Sequence, residues 1–181
     1  MITAKKIAPL RRQPIDFDDT ARLKAKLAQL RRKRKPLYLN AEEFQEILQW
    51  KLGQQIGRQQ KRRAVNNEEI IRAVTGLSLT ITHPDKEYEL ELRVNILCSL
   101  RGVGIPVASA ILTLIFPDDY AVIDFRVWRQ CFGENKSVFS LSDYKKYMQK
   151  IRHLASELDW SVQEVDHAIW EYDRRTNKRQ E

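Results

Sequence analysis

The chain has 181 residues, of which 43% are hydrophobic, enough to bury a core in one compact domain or two small helical lobes. It shows neither an apolar run that could cross a bilayer nor a signal-peptide pattern. We therefore expect a cytoplasmic protein, associated with the nucleoid if it is prokaryotic. Cys98 and Cys131 are the only cysteines and the three histidines are scattered, so no disulfide scaffold and no protein-ligated transition metal are expected.

The positive charge lies in the amino-terminal third of the chain. Residues 1–63 hold 17 Lys/Arg and 6 Asp/Glu, whereas residues 64–181 hold 15 and 18, so the first part supplies the whole net charge of +8. Such a surplus indicates a polyanionic partner. From Arg22 onward, eight basic residues occur with no acidic one, and the run ends in Arg31, Arg32, Lys33, Arg34 and Lys35. This run is either a strip that contacts phosphates or a solvated helix face.

The pattern of helix starts and stops favours an all-α fold. Residues 1–15 are basic, contain two prolines and have no helical period, which predicts a flexible arm ahead of a helical domain over residues 16–181. A first helix is predicted to end at about Lys35, before Pro36. Further helix starts are predicted where an Asn or Ser precedes an acid by three residues, at Asn40, Asn66–Asn67, Ser140 and Ser161.

The segment 88–130 has the most informative pattern. An apolar helix from about Tyr88 to Leu100 precedes Arg101-Gly-Val-Gly104, and a second apolar helix starts at Ile105. Two glycines around one apolar residue allow a sharp turn with outward-facing amides. These amides and the helix dipole favour an anion such as a DNA phosphate. The alternative is a glycine-rich turn between helices that binds no ligand.

Residues 97–130 resemble the helix-hairpin-helix DNA glycosylase superfamily. The resemblance lies in Leu-x-Gly-Val-Gly-x-x-x-Ala-Ser, an apolar helix, and then Val122-Ile-Asp124 at the start of a third helix. It implies a two-lobed helical bundle that contains a helix-hairpin-helix motif, binds duplex DNA and flips a damaged base into a cleft between the lobes. By this resemblance Asp124 is the catalytic carboxylate, which stabilises the cationic sugar as the glycosidic bond breaks. The alternative role of Asp124 is that of an N-cap, and both roles are compatible.

The resemblance also implies limits on the chemistry. Bifunctional members of the superfamily form a Schiff base through a lysine in the second helix of the hairpin. The matching positions here are Ile105, Pro106 and Val107, so the expected enzyme is a monofunctional glycosylase without lyase activity. Backbone carbonyls near Arg101 and Val103 could hold a Na⁺ or K⁺ ion, and no other cofactor is expected.

Further site residues follow from the resemblance and from the charge pattern. The predicted DNA contacts are Arg101, Gly102, Val103, Gly104, Ile105, Arg126 and Arg129, together with residues 31–35. Arg129 could instead pair with Asp118 or Asp119. Trp128 and Tyr120 are predicted to line the base pocket, although core packing is an alternative for Trp128.

Other residues and functions are also compatible with the sequence. Trp50, Trp160 and Trp170 fit core positions, and the neighbouring Asp166 and His167 are expected on the surface rather than as a catalytic pair. The chain could keep the helix-hairpin-helix fold and bind DNA or RNA without catalysis. It could also be an interaction protein whose basic helices meet an acidic partner.

Overall fold

The computed structural model describes residues 1–11 and 18–177, and over these ranges the fold is all-helical, without a strand. The α-helices are α1 (Ala4–Ile7), α2 (Asp18–Lys33), α3 (Ala41–Leu52), α4 (Gln60–Arg63), α5 (Glu68–Thr80), α6 (Lys86–Cys98), α7 (Ile105–Ile115), α8 (Phe125–Phe132), α9 (Leu141–Leu158) and α10 (Val162–Thr176). Ala8–Leu10 and Gly53–Gln59 are 3-10 helices. The prediction of an all-α fold is confirmed. None of the described helices is both long and apolar enough to span a membrane.

Side-chain caps determine where several helices begin. The side chains of Asn40, Ser140 and Ser161 each accept a hydrogen bond from the backbone amide of the residue three positions later. That residue is an acid, and its carboxylate accepts a hydrogen bond from the backbone amide of the cap residue. Asn67 accepts a hydrogen bond from the Ile70 amide at the start of α5. The four predicted helix starts are therefore confirmed, because local caps act within one turn of the chain.

Helix α7 lies at the centre of the hydrophobic core. Every residue from Val107 to Ile115 is buried, and α7 contacts α2, α3 and α6. A helix that is apolar all round is stable only when neighbours cover all its faces. A second group of helices forms around α10, which contacts α1, α8 and α9.

The amino-terminal residues belong to the core. Ile2, Ala4, Ile7 and Leu10 are buried, and α1 contacts α9 and α10. The Ile2 amide also donates to the Gln130 carbonyl at 2.8 Å. The prediction of a flexible arm is therefore wrong for residues 1–11. The sequence did not reveal these elements, because one α-helical turn and one 3-10 turn are too short to show a helical period. Residues 12–15 of the predicted arm lie outside the described residues.

A buried carboxylate joins α8 to α10. Asp173 is fully buried and accepts hydrogen bonds from Arg129 Nε at 2.7 Å, Arg129 Nη2 at 2.6 Å and the side-chain Nε2 of Gln130 at 2.7 Å. Arg126 Nη1 lies 3.7 Å from the same carboxylate. Burial acts to raise the pKa of Asp173, but these donors outweigh it and hold the pKa below its ordinary value.

Removal of this carboxylate is expected to destabilise the fold. Asp173→Ala removes the partner of the Arg129 guanidinium, whose side chain is only 15% exposed. Removal of one member of a buried ion pair lowers the free energy of unfolding by about 3–5 kcal/mol. Urea denaturation of variant and wild type measures the change in the free energy of unfolding. Asp118→Ala, at an exposed carboxylate, is the control and should stay within about 0.5 kcal/mol. An equally small change for Asp173→Ala would contradict the prediction.

Candidate functional site

A cavity of about 940 Å³ opens between α2 and α3 on one side and α7, α8 and α10 on the other. Its wall brings carboxylates, cations and aromatic rings together. The residues that bear on its chemistry are Trp50, Lys51, Asp124, Asp166, His167 and Trp170. Cavities of this volume hold small-molecule ligands of nucleotide size.

Asp124 lies at the start of α8 and lines this cavity. Its Oδ1 accepts hydrogen bonds from the amides of Arg126 at 2.9 Å and Val127 at 3.1 Å, so Asp124 is the N-cap of α8. Its Oδ2 lies 3.6 Å from Lys51 Nζ, and its side chain remains 23% exposed. The N-cap role is therefore present, and the carboxylate is accessible from the cavity.

Buried side chains hold the non-helical segment that precedes Asp124. In each of the three residues before Asp124, a backbone group forms one hydrogen bond with a buried side chain. The bonds are from the Tyr144 hydroxyl to the Ala121 carbonyl (3.0 Å), from the Val122 amide to Asp166 Oδ2 (2.9 Å) and from the Ile123 amide to Ser109 Oγ (3.1 Å). Since these partners come from α9, α10 and α7, three helices fix the position of Asp124.

Asp166 is a cavity carboxyl that the sequence pattern did not reveal. It is 7% exposed and accepts hydrogen bonds from the Tyr147 hydroxyl at 2.5 Å and from the Val122 amide. Burial raises the pKa of Asp166 to about 7, although these two bonds act in the opposite direction. The expected surface position is wrong for Asp166. A carboxyl that titrates near neutral pH beside Asp124 has the property that proton transfer requires.

The predicted pocket residues Trp128 and Tyr120 do not line the cavity. Trp128 is 1% exposed and packs with ring centroids 4.2 Å from Phe132 and 5.5 Å from Phe139. Tyr120 is 4% exposed, and burial raises its pKa to about 12. Both predictions are corrected: these rings are core, which for Trp128 is the alternative role.

Trp50 and Trp170 supply the aromatic wall of the cavity. Trp50 Nε1 donates to Thr20 Oγ1 at 3.1 Å, which fixes the indole between α3 and α2. The Arg126 guanidinium lies 5.7 Å from the Trp170 ring centre. Both tryptophans are half-buried and line the cavity, so neither is only a core anchor.

The turn between α6 and α7 is held from one side. Gly102 has a φ of +75°, and a Cβ built there would lie 2.6 Å from Arg63 Cγ. Asn66 accepts a hydrogen bond from the Arg101 amide at 3.1 Å and donates one to the Arg101 carbonyl at 2.9 Å. The Arg101 side chain and Gly104 remain exposed.

The turn also has backbone amides without an acceptor. Among residues 1–11 and 18–177, the amides of Gly102, Gly104 and Ile105 have no hydrogen-bond acceptor, whereas the amide of buried Val103 donates to the Leu100 carbonyl at 3.1 Å. Contact of these amides with DNA remains a prediction.

One of the carbonyls expected to hold a monovalent cation already accepts a hydrogen bond, and binding of the ion remains a prediction. Asn66 already uses the Arg101 carbonyl, so a bound ion would have to share that oxygen. Within the described ranges, no three His, Cys, Asp or Glu side chains come together as a metal site.

The predicted arginines of α8 have structural partners. Arg129 binds Asp173 through two hydrogen bonds, and the Arg126 guanidinium lies 5.7 Å from the Trp170 ring centre and 5.4 Å from the Phe125 ring centre. Arg129 is therefore an interior link between α8 and α10, and its predicted phosphate contact is corrected. The acid that it pairs with is neither Asp118 nor Asp119.

The basic run 31–35 divides into structural and exposed residues. Arg31 Nη1 donates to the Ile115 carbonyl at 3.1 Å, and Arg34 Nη1 pairs with Glu43 Oε2 at 2.6 Å, so both stabilise the fold. Arg32, Lys33 and Lys35 are exposed. Because Arg31 binds the last residue of α7, this run lies at the end of α7 opposite the turn, roughly 16 Å away along the 11-residue helix.

Comparisons of the chain with family models, curated proteins and solved structures return no match. The interpretation of the site therefore depends on its own geometry and on the sequence pattern.

Substitution of the two turn glycines is expected to have unequal effects. Gly102→Ala places a side chain at positive φ and against Arg63, which should cost at least about 1–2 kcal/mol of the free energy of unfolding. Gly104→Ala is the matched control, because its Cβ would meet nothing closer than Pro106 Cδ at 3.9 Å. Urea denaturation measures both. Equal costs would contradict the role of Gly102 in the turn.

Asp166 should make stability depend on pH. Its pKa is about 7 in the fold against an ordinary 3.8, so its contribution to the free energy of unfolding is present below pH 3.8 and is lost as pH rises through 7. Asp166→Asn stays uncharged, so its stability relative to the wild type should rise between about pH 4 and 8. Urea denaturation across this range tests the sign, with exposed Asp118→Asn as the control. A relative stability that does not change with pH would disprove it.

Proposed function

We propose that the chain is a DNA-binding protein of the helix-hairpin-helix glycosylase type that hydrolyses the N-glycosidic bond of a damaged base through Asp124. The observation that carries this proposal is an accessible carboxylate, fixed at the start of α8, in the wall of a cavity of about 940 Å³. In this proposal α6, the turn and α7 form the helix-hairpin-helix, and the helices on either side of the cavity form the two lobes.

The cavity residues suit hydrolysis of a base that has been flipped out of the duplex. Trp50 and Trp170 offer aromatic faces for the base, while Asp124 faces the sugar. As the bond from C1′ to the base nitrogen breaks, its electron pair leaves with the base and positive charge develops on the sugar. The Asp124 carboxylate stabilises that charge. Water then adds to C1′, and its proton balances the charge on the departing base.

Lys51 modifies this mechanism. Its ammonium lies 3.6 Å from Asp124 Oδ2, so the developing sugar cation must share the carboxylate with it. No lysine occupies positions 105–107, where the bifunctional members of the superfamily carry theirs. We therefore assign the attack on C1′ to water and propose a monofunctional enzyme.

The same ion pair favours a second candidate function, nucleic-acid binding without catalysis. Asp124 caps α8 with one oxygen and pairs with Lys51 through the other, and a purely structural carboxylate would make the same contacts. Base release separates the two functions, because binding alone leaves the glycosidic bond intact.

Asp124→Asn is expected to reduce base release by about 100-fold or more, because a neutral amide stabilises the sugar cation far less than a carboxylate does. The fold should survive, since Asn is an equally good N-cap. Single-turnover assays on duplexes with alkylated, oxidised or deaminated bases, followed by heat or alkali, reveal abasic sites. Duplex binding should be unchanged in the variant.

Two outcomes would decide against the enzyme. Equal base release by Asp124→Asn and wild type would remove Asp124 from the reaction. Tight duplex binding by the wild type, without release from any of the modified duplexes, would favour the non-catalytic function.

A further inference from the structure

One chain segment connects the cavity to the turn. Lys51 lines the cavity near the end of α3, and the 3-10 helix Gly53–Gln59 and α4 follow directly. At the end of α4, the Arg63 side chain lies against Gly102 of the turn. The segment 53–63 therefore runs from the cavity wall to the turn, over up to about 20 Å of helical rise.

The exposed face of segment 53–63 is basic and free of acids. No Asp or Glu occurs from Leu52 to Asn67. The exposed polar residues of the segment are Gln54, Gln55, Arg58, Gln59, Gln60, Lys61 and Arg62. Among the described residues, no carboxylate pairs with Arg58, Lys61, Arg62 or the exposed Arg101 of the turn.

Many other cations of the molecule have acidic partners. Lys26 pairs with Glu46, Lys145 with Glu91 and Arg152 with Glu87, each across two helices. Glu68, the first acid after segment 53–63, pairs with Arg72 at 3.1 Å. The positive charge of the segment is therefore not compensated by nearby acids.

Arg63 adds a buried cation at the same place. It is 8% exposed, and its Nη2 donates to the Ile56 carbonyl. Burial lowers the pKa of Arg63, and no carboxylate in the described part of the chain pairs with it. The Arg63 guanidinium therefore adds positive charge next to the exposed cations of the segment.

We propose that segment 53–63, together with Arg101, is a phosphate-binding track that holds one strand of a DNA duplex between the turn and the cavity. At its longest, about 20 Å, the segment would follow about six steps of 3.4 Å along one strand. The inference rests on the proposed function in one respect only, namely that the partner is duplex DNA. It assigns the strand contact to residues outside the run 31–35, which lies at the other end of α7.

The test compares two triple variants that lose equal charge. The track variant carries Arg58→Gln, Lys61→Gln and Arg62→Gln, and the control carries Arg32→Gln, Lys33→Gln and Lys35→Gln. All six side chains are exposed, so both variants should keep the wild-type Tm. Duplex affinity is measured from low to high salt. The slope of log affinity against log salt concentration should become shallower by about one for each lost phosphate contact. We therefore expect a change of about three in the track variant. The slope of the control should stay near the wild-type value.

The outcomes separate this inference from the proposed function. Equal slope changes in both variants would mean that net charge alone matters, and would overturn the track. An unchanged slope in the track variant, with duplex binding and base release as in the wild type, would overturn the track and leave the proposed function standing. Absence of duplex binding by the wild type would overturn both. A larger loss of affinity for polyglutamate than for duplex in the track variant would assign the surface to acidic proteins and also overturn the track.

Discussion

The burial of α7 on all sides is the constraint on which the rest of the molecule depends. Its apolar residues bring α2, α3 and α6 around it, because leaving any face in water would lose hydrophobic free energy. The polar residue Ser109 must then satisfy its hydrogen bonds inside the core, and it does so with the Pro106 carbonyl and the Ile123 amide. The packing of α7 is therefore coupled directly to the segment that presents Asp124.

Two carboxyl groups in one cavity have different surroundings, and this difference gives the site its chemical character. Asp124 accepts two amides and lies beside Lys51, with part of its side chain exposed. Asp166 lies deeper, and burial raises its pKa to about 7. Two acids in such different surroundings can divide the roles of charge stabilisation and proton transfer. The Tyr147 hydroxyl and the Val122 amide hold Asp166 in place, so its position is as fixed as that of Asp124.

Features set by a few neighbouring residues could be predicted from the sequence, and features set by distant ones could not. The caps at Asn40, Ser140 and Ser161 act within one turn, so the pattern of residues was sufficient. The partner of Arg129 is 44 residues away along the chain, which no local pattern shows. Trp128 lies one helical turn after Asp124, but its ring turns to Phe132 and Phe139 in the core.

The cavity itself depends on residues from separate helices, which is why its aromatic wall and its second carboxyl could not be predicted. Trp50 and Trp170 come from α3 and α10, and only tertiary packing brings them to the same cavity as Asp124.

Net charge is a poor guide to where a polyanion binds, because some of the basic side chains pair with acids of the same chain. Of the cations in the basic amino-terminal third, Arg34 and Lys26 pair with Glu43 and Glu46 of α3. Lys51 faces Asp124 in the cavity. Exposed charge without an acidic partner is what attracts phosphates. Residues 31–35 give Arg31 and Arg34 to the fold, so the run of five cations leaves three exposed, the same number as residues 58–62 leave in the segment that ends at the turn. The place of the exposed cations in the fold therefore distinguishes the two runs, because one lies at the far end of α7 and the other leads from the cavity to the turn.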